Sequence, residues 1–243
     1  MSERAAIVTG GGTGIGRATA LRLAKSGYAL VIAGRRWQPL DAVVNEIKAA
    51  GGKALAVPSD MSKVDEVSGM VARTVEAFGR IDVLVNNAGS ARMVPLHQMT
   101  PYQWHEALDA NLSSAFYATR AVWPIMQSQH ASSDKEWGTI VNISSMSAKD
   151  PFPGLGAYGA AKAGLNLLTL STAREGADAG IRAVCIAPGA VDTGMFQQVM
   201  GDKPIPPGIA LMPEDVAAMV VEAVSGSLRY CSGETIYVHR RAG

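Results

Sequence analysis

The chain has 243 residues, 48% hydrophobic and 18% charged, a composition that supports a large buried core and excludes the polar, highly charged class that stays disordered. Its 22 Lys and Arg against 21 Asp and Glu leave a net charge of +1 with no long block of either sign, so neither nucleic acid nor a membrane surface is expected as principal partner. No window reaches the ~20 apolar residues of a membrane span, the N-terminus lacks a secretory pattern, and Cys185 and Cys231 have no CxxC or metal spacing, which fits free thiols in a reducing, cytoplasmic setting.

Short β-rich runs alternate with amphipathic stretches, the pattern of a single α/β domain whose parallel sheet is covered by helices on both faces. Seven strands are expected, over 5–8, 28–33, 54–57, 81–85, 139–143, 182–186 and 235–238, several apolar throughout, as strands buried on both faces require. The first runs into Thr9-Gly10-Gly11-Gly12-Thr13-Gly14-Ile15-Gly16, which opens the first helix. Glycines there permit a tight turn and close approach to a pyrophosphate, whose charge is favoured by free N–H groups at the helix start. The alternative is a plain strand-to-helix turn. Gly27 is expected as a left-handed cap on that helix.

The second strand ends at Gly34-Arg35-Arg36 and the third leads to Asp60-Met61. A helix follows over 63–78, with Val64, Val67, Val71, Val75 and Phe78 on one face. Gly79 closes it, and Pro101 opens the next helix. Asn86-Asn87-Ala88-Gly89 follows the fourth strand. Asn111 falls mid-helix, where asparagine is a mediocre former and needs a reason. Segments 128–138 and 192–213 read as irregular.

Tyr158 and Lys162 are four apart in a helical pattern, so they share a face and can meet at one site. A free phenol titrates near pH ~10, and an adjacent ammonium together with the positive ring of a bound dinucleotide is expected to lower that value toward the working range. Alone, such a pair would be ordinary helix surface. From their place after the fifth strand alone, Ser144, Ser145 and Ser147 read as loop hydrogen bonding.

The spacing of Gly10, Gly14 and Gly16 resembles the TGxxxGxG fingerprint of the short-chain dehydrogenase/reductase family. The resemblance runs the length of the chain: Asn86-Asn87-Ala88-Gly89 matches NNAG, Tyr158 to Lys162 matches YxxxK, and Pro188-Gly189 matches PG. It implies a Rossmann-type, doubly wound, seven-stranded parallel sheet and a nicotinamide-dependent oxidoreductase, similar to the 3-oxoacyl reductases, acting on a small carbonyl or alcohol. It further implies a catalytic group of Asn111, Ser145, Tyr158 and Lys162, with Asn111 holding a water that leads to Lys162.

The cofactor contacts implied by the resemblance are Gly10, Gly12, Thr13, Gly14, Ile15 and Gly16, then Asp60 on the adenine amino group with Met61 beside the ring. Asn87, Ala88, Gly89, Tyr158, Lys162, Pro188, Gly189 and Val191 follow, with Thr193 on the carboxamide. From spacing alone, Asp60 reads equally as a cap of the helix near Lys63. Members that prefer NAD carry an acid where this chain has Gly34-Arg35-Arg36. Arg35 offers a bidentate fork to a 2′-phosphate, with Arg36 assisting, so NADP(H) is expected and NAD is the alternative.

The resemblance also implies a homotetramer and a substrate lid over 192–213, where Met195, Phe196, Met200 and Met212 face Phe152 and Leu155. Core packing is the competing account of those side chains. His239-Arg240-Arg241 departs from the family's Asp-Gly-Gly ending. Competing functions are an NAD-linked alcohol or sugar dehydrogenase and a cofactor-binding regulator without turnover; retention of the four catalytic residues argues against the latter. His97, His105, His130 and His239 have no ligand spacing, so no metal is expected. Trp37, Trp104, Trp123 and Trp137 are expected to pack.

Overall fold

The computed structural model describes residues 4–132, 137–201 and 208–240. Small and β-branched apolar runs form the seven expected strands, and amphipathic segments form helices between them. In chain order these are β1 (Ala5–Thr9), α1 (Gly14–Lys25), β2 (Ala29–Gly34), α2 (Trp37–Ala49), β3 (Ala54–Pro58), α3 (Val64–Phe78) and β4 (Val83–Asn86). Then come α4 (Pro101–Leu108), α5 (Ser114–Ser132), β5 (Gly138–Ile143), α6 (Gly156–Gly176), β6 (Ile181–Pro188), α7 (Gly194–Met200), α8 (Pro213–Ser225) and β7 (Thr235–Val238).

The strands form one parallel sheet in the order β3-β2-β1-β4-β5-β6-β7. Side chains alternate across the strands, which splits the core into two layers. Ala6, Val8, Val83 and Val85 face α1, α2 and α8, whereas Ile7, Leu84 and Ile140 face α3 and α5. Strand order reverses between β1 and β4, so the loops leaving their carboxyl ends diverge and open a crevice there. The glycine loop and Asn86-Asn87 both lie at that reversal.

Several boundaries differ from the sequence expectation for identifiable reasons. β4 begins at Val83 rather than Ile81, because the Gln129 side chain replaces the ladder at Ile81. Its amide oxygen accepts from the Ile81 N–H at 2.9 Å, and its amide nitrogen donates to the Ile81 carbonyl at 2.8 Å. On α3 the buried stripe is Val67, Met70, Val71 and Thr74, while Val64 is 42% exposed. The stripe therefore drifts by part of a turn from the valine-based face. Gly79 does cap this helix at φ 73°, and Thr100 precedes Pro101 in a reciprocal capping box with Gln103.

Residues 128–132, expected to be irregular, continue α5, and residues 133–136 lie outside the described residues. Segment 192–213 contains α7 and the start of α8; its residues 202–207, like Arg241, lie outside the described residues. Trp37 and Trp137, expected to pack, are about half exposed. No helix among the described residues is long and apolar enough to cross a membrane.

Candidate active site

The glycine loop is shaped by what surrounds it. Gly10 has φ 63° and Gly14 φ 51°, conformations that strain any other residue. At Gly16 a Cβ would strike the Gly10 carbonyl and lie 2.5 Å from the Asn87 amide nitrogen. Gly12 is filled from behind by Pro39 and Leu40 of α2, so packing explains it as well as ligand approach does. Ile15 is half-buried against the core layer that faces α1, α2 and α8. Thr13 precedes α1 without a side-chain cap, and the first turn contains no acid. The N–H groups of α1 are therefore left to an outside anion, which is the donor set a pyrophosphate requires.

The loop is locked to the end of β4 through Thr9, the first residue of the glycine motif, whose contacts the sequence alone does not reveal. The Thr9 hydroxyl accepts from the Asn87 and Ala88 N–H groups, both at 3.0 Å, and the Asn87 amide donates to the Thr9 and Gly10 carbonyls at 2.9 and 3.2 Å. Behind them a buried polar chain crosses the sheet. Asn86 donates to the Asn142 amide oxygen at 2.9 Å, and Asn142 donates to the Thr169 hydroxyl at 2.8 Å. Asparagine in an otherwise apolar buried strand, as in Thr139-Ile140-Val141-Asn142-Ile143, is the signal that could have revealed it.

At Gly89 a Cβ would lie 2.5 Å from the Asn111 amide oxygen and 3.6 Å from Lys162 Nζ, so these three residues converge. Asn111 sits in a single π turn, Asp109–Ser113, between α4 and α5, which accounts for asparagine in mid-helix. Its amide donates to the Ser90 and Ala107 carbonyls at 2.8 and 2.9 Å. Lys162 is 4% exposed and its Nζ donates to the Ile143 carbonyl at 2.8 Å. Ser144 donates to the Lys162 carbonyl at 3.1 Å, the fixed packing role expected of it.

Tyr158 and Lys162 share a face of α6, with Nζ 5.7 Å from the phenol ring centre. Ser145 begins the short turn Met146–Ala148, accepts from the Ser147 N–H at 3.1 Å, and hydrogen-bonds the Tyr158 phenol. Within the protein alone, burial sets both shifts. Burial pushes the phenol above its ordinary value and the Ser145 hydrogen bond recovers only part of that rise, while burial pushes Lys162 down to about 8.

The remaining expected residues are placed variously. Arg35 and Arg36 are exposed at the end of β2 and make no ion pair among the described residues. Asp60 accepts from the Ser62 N–H and hydroxyl at 3.0 and 2.7 Å, a local turn rather than the helix cap, since Lys63 holds that position. Burial raises the Asp60 carboxyl, but Ser62, Arg35 and Lys63 together hold it below its usual range. The Met61 side chain is buried in the core layer that faces α3 and α5.

Pro188 ends β6, and Gly189 donates its N–H to the Val238 carbonyl at 2.8 Å, with His239 packed where a Cβ would be. Val191 is buried in a bridge to Leu211. Thr193 packs against Gly14, and its hydroxyl caps α7 by accepting from the Phe196 N–H at 3.3 Å. Met195, Met212 and Phe152 are exposed, whereas Leu155 is buried.

The short chain dehydrogenase family matches residues 4–204 of the chain. A 3-oxoacyl-[acyl-carrier-protein] reductase of Synechocystis is 37% identical over 244 residues, covering 98% of this chain and 96% of the relative. The crystal structure of a 3-ketoacyl-(acyl-carrier-protein) reductase from Brucella melitensis complexed with NADH superposes with a TM-score of 0.89 at 30% identity, over 97% of this chain and 96% of that one. A levodione reductase structure gives a TM-score of 0.90 at 28% identity, covering 98% and 97% of the two chains. The glycine loop, the crevice at the strand reversal and these full-length likenesses agree: the chain belongs to the short-chain dehydrogenase family and is an NAD(P)-dependent oxidoreductase acting on a CH–OH or keto group.

Proposed function

We propose that the chain is an NADP(H)-preferring reductase of ketones of the 3-oxoacyl type. The observation that carries this reading is one contiguous cluster. Ser145, Tyr158 and Lys162 meet at the end of β5, Asn111 and Gly89 adjoin Lys162, and Asn87 joins that group to the Gly10–Gly16 loop. When bound, the nicotinamide supplies the hydride. Tyr158 donates its hydroxyl proton to the substrate oxygen, a transfer made easier as negative charge develops there. Ser145 donates to the same oxygen and fixes its position. Lys162 returns a proton toward the phenol, and Asn111 holds the water that supplies it.

Gly10, Gly12, Thr13, Gly14, Ile15 and Gly16 are assigned to the dinucleotide phosphates, with Asp60, the Met61 backbone, Asn87, Ala88, Gly89, Pro188, Gly189, Val191 and Thr193 along its length. Exposed Arg35, free of any ion pair among the described residues, supports NADP(H) by offering its fork to a 2′-phosphate. Exposed Met195, Met212 and Phe152 support a substrate lid over 192–213. A cytoplasmic homotetramer completes the proposal, supported by family resemblance.

The test is a panel of 3-oxoacyl thioesters and simple ketones, followed by absorbance of the reduced nicotinamide with NADPH and with NADH. Faster consumption of NADPH is expected, and a chain that reduces no carbonyl with either cofactor overturns the proposal. Arg35→Asp is expected to weaken NADPH selectively; equal weakening of both cofactors removes the NADP assignment. The second reading, an NAD-linked alcohol or sugar dehydrogenase, is favoured by the NADH held in the Brucella structure. The NADH arm run with alcohols and NAD decides it.

A further inference from the structure

A cavity of about 800 Å³ opens at the opposite end of the sheet from the crevice. Arg4, Tyr28, Asp82, Thr139 and Arg182 line it, and each stands at the amino end of a strand. Walls come from Leu170 and Arg174 near the end of α6, and from Arg229 and Tyr230 beyond α8. Nothing in the hydride-transfer cluster reaches it.

The charge of this cavity is unbalanced. Four arginines line it, and none of Arg4, Arg174, Arg182 and Arg229 makes an ion pair among the described residues. The lining carboxylate, Asp82, is buried and already engaged, accepting from Arg80 and from the Ala5 N–H, both at 2.7 Å. Structural duty accounts for Arg182, which donates to the Thr139 hydroxyl at 2.8 Å and to the Val224 carbonyl at 3.0 Å. It does not account for exposed Arg4, Arg174 and Arg229. Burial, and after it the neighbouring Arg229, disfavours the charge of Arg182, and an anion seated among these guanidinium groups offsets both.

Rings accompany these charges. The Arg4 guanidinium lies 4.7 Å from the Tyr28 ring centre and that of Arg229 lies 4.7 Å from the Tyr230 ring. Trp137 is 46% exposed and Tyr230 86% exposed, so flat apolar surface is left facing outward beside the guanidinium groups. Guanidinium forks match phosphate oxygens in pairs, rings stack on rings, and the volume suits a nucleotide-sized ligand.

We propose that this amino-end cavity is a second ligand site, for an organic phosphate carrying an aromatic ring, with the chemistry of a nucleoside diphosphate. Arg174 and Arg229 hold the phosphates over the fixed Arg182, and Trp137 or Tyr230 covers the ring. The site is separate from the dinucleotide crevice and does not depend on turnover there.

Calorimetric titration of ADP into the full chain presaturated with NADP⁺ tests it, since the crevice is then filled. One ADP per chain is expected, with adenosine and pyrophosphate each binding more weakly. The double variant Arg174→Glu, Arg229→Glu is expected to lose affinity for ADP by about tenfold or more, the loss of one or two charge-assisted hydrogen bonds, while binding NADP⁺ as before. ADP also quenches tryptophan emission in the native chain but not in Trp137→Phe. Absence of ADP binding to the NADP⁺-saturated chain overturns the proposal, as does unchanged affinity in the double variant or adenosine binding as tightly as ADP.

Discussion

The two ends of the same seven strands are built to meet a ligand in different ways. At the carboxyl end the donors are main-chain N–H groups of α1, exposed by glycines, and the polar side chains behind them are tied to one another. At the amino end the charge resides on four guanidinium groups brought together from α6, β6 and two loops. A backbone donor survives every substitution except proline, whereas side-chain donors can be removed one at a time by any apolar residue. The carboxyl end should therefore fail through steric filling or loss of a proton, and the amino end through loss of charge alone.

That contrast can be broken in five places. Tyr158→Phe removes the proton donor and should lower turnover by about 10²–10⁴-fold, with cofactor affinity unchanged by fluorescence titration; retained turnover would sink the role given to the phenol. Reduction should also fall about tenfold per pH unit above pH 8, because Lys162, pushed down to about 8, then lacks the proton it returns. Stability moves the other way. Lys162 holds its proton less tightly folded than unfolded, so its destabilising cost is complete below pH 8 and relieved as pH rises toward its ordinary 10.5. Denaturant midpoints against pH should show that rise in the native chain and a flatter profile in Lys162→Met.

Gly16→Ala forces a methyl onto the Gly10 carbonyl and Asn87. It should cost about 1–3 kcal/mol and weaken both NADPH and NADH, read by calorimetry. Asn142→Ala leaves the buried Asn86 amide with only the 3.3 Å bond to Thr119 and should cost about 1–3 kcal/mol, or about 2–4 °C of Tm per kcal/mol, with KM little changed. Smallest of all, Arg174→Glu should leave steady-state carbonyl reduction as it was. A drop in kcat there would mean that the two ends are coupled.

The same contrast explains what could be read from the sequence. Gly10, Gly14, Gly16, Asn87, Tyr158 and Lys162 were legible because backbone geometry and a helical turn impose short, fixed spacings. All seven strands were legible because a sheet buried on both faces needs unbroken apolar runs. The contacts of Thr9 and Gln129 were not, since their partners lie 78 and 48 positions away, and no local pattern encodes such a contact. The arginine cavity is the extreme case, with residues scattered from position 4 to position 229. The rise of the Tyr158 pKa within the protein alone was not legible, because spacing reports which groups are neighbours but not how much water each has lost.

One small tie has a larger meaning. The Leu211 N–H donates to the Ala190 carbonyl at 2.8 Å and the Asp192 N–H to the Leu211 carbonyl at 2.9 Å, so the two ends of the intervening stretch are stapled side by side. Lengthening a segment anchored in that way costs only about 0.6 kcal/mol per doubling. Residues can thus be added between those ends while every strand stays where it is.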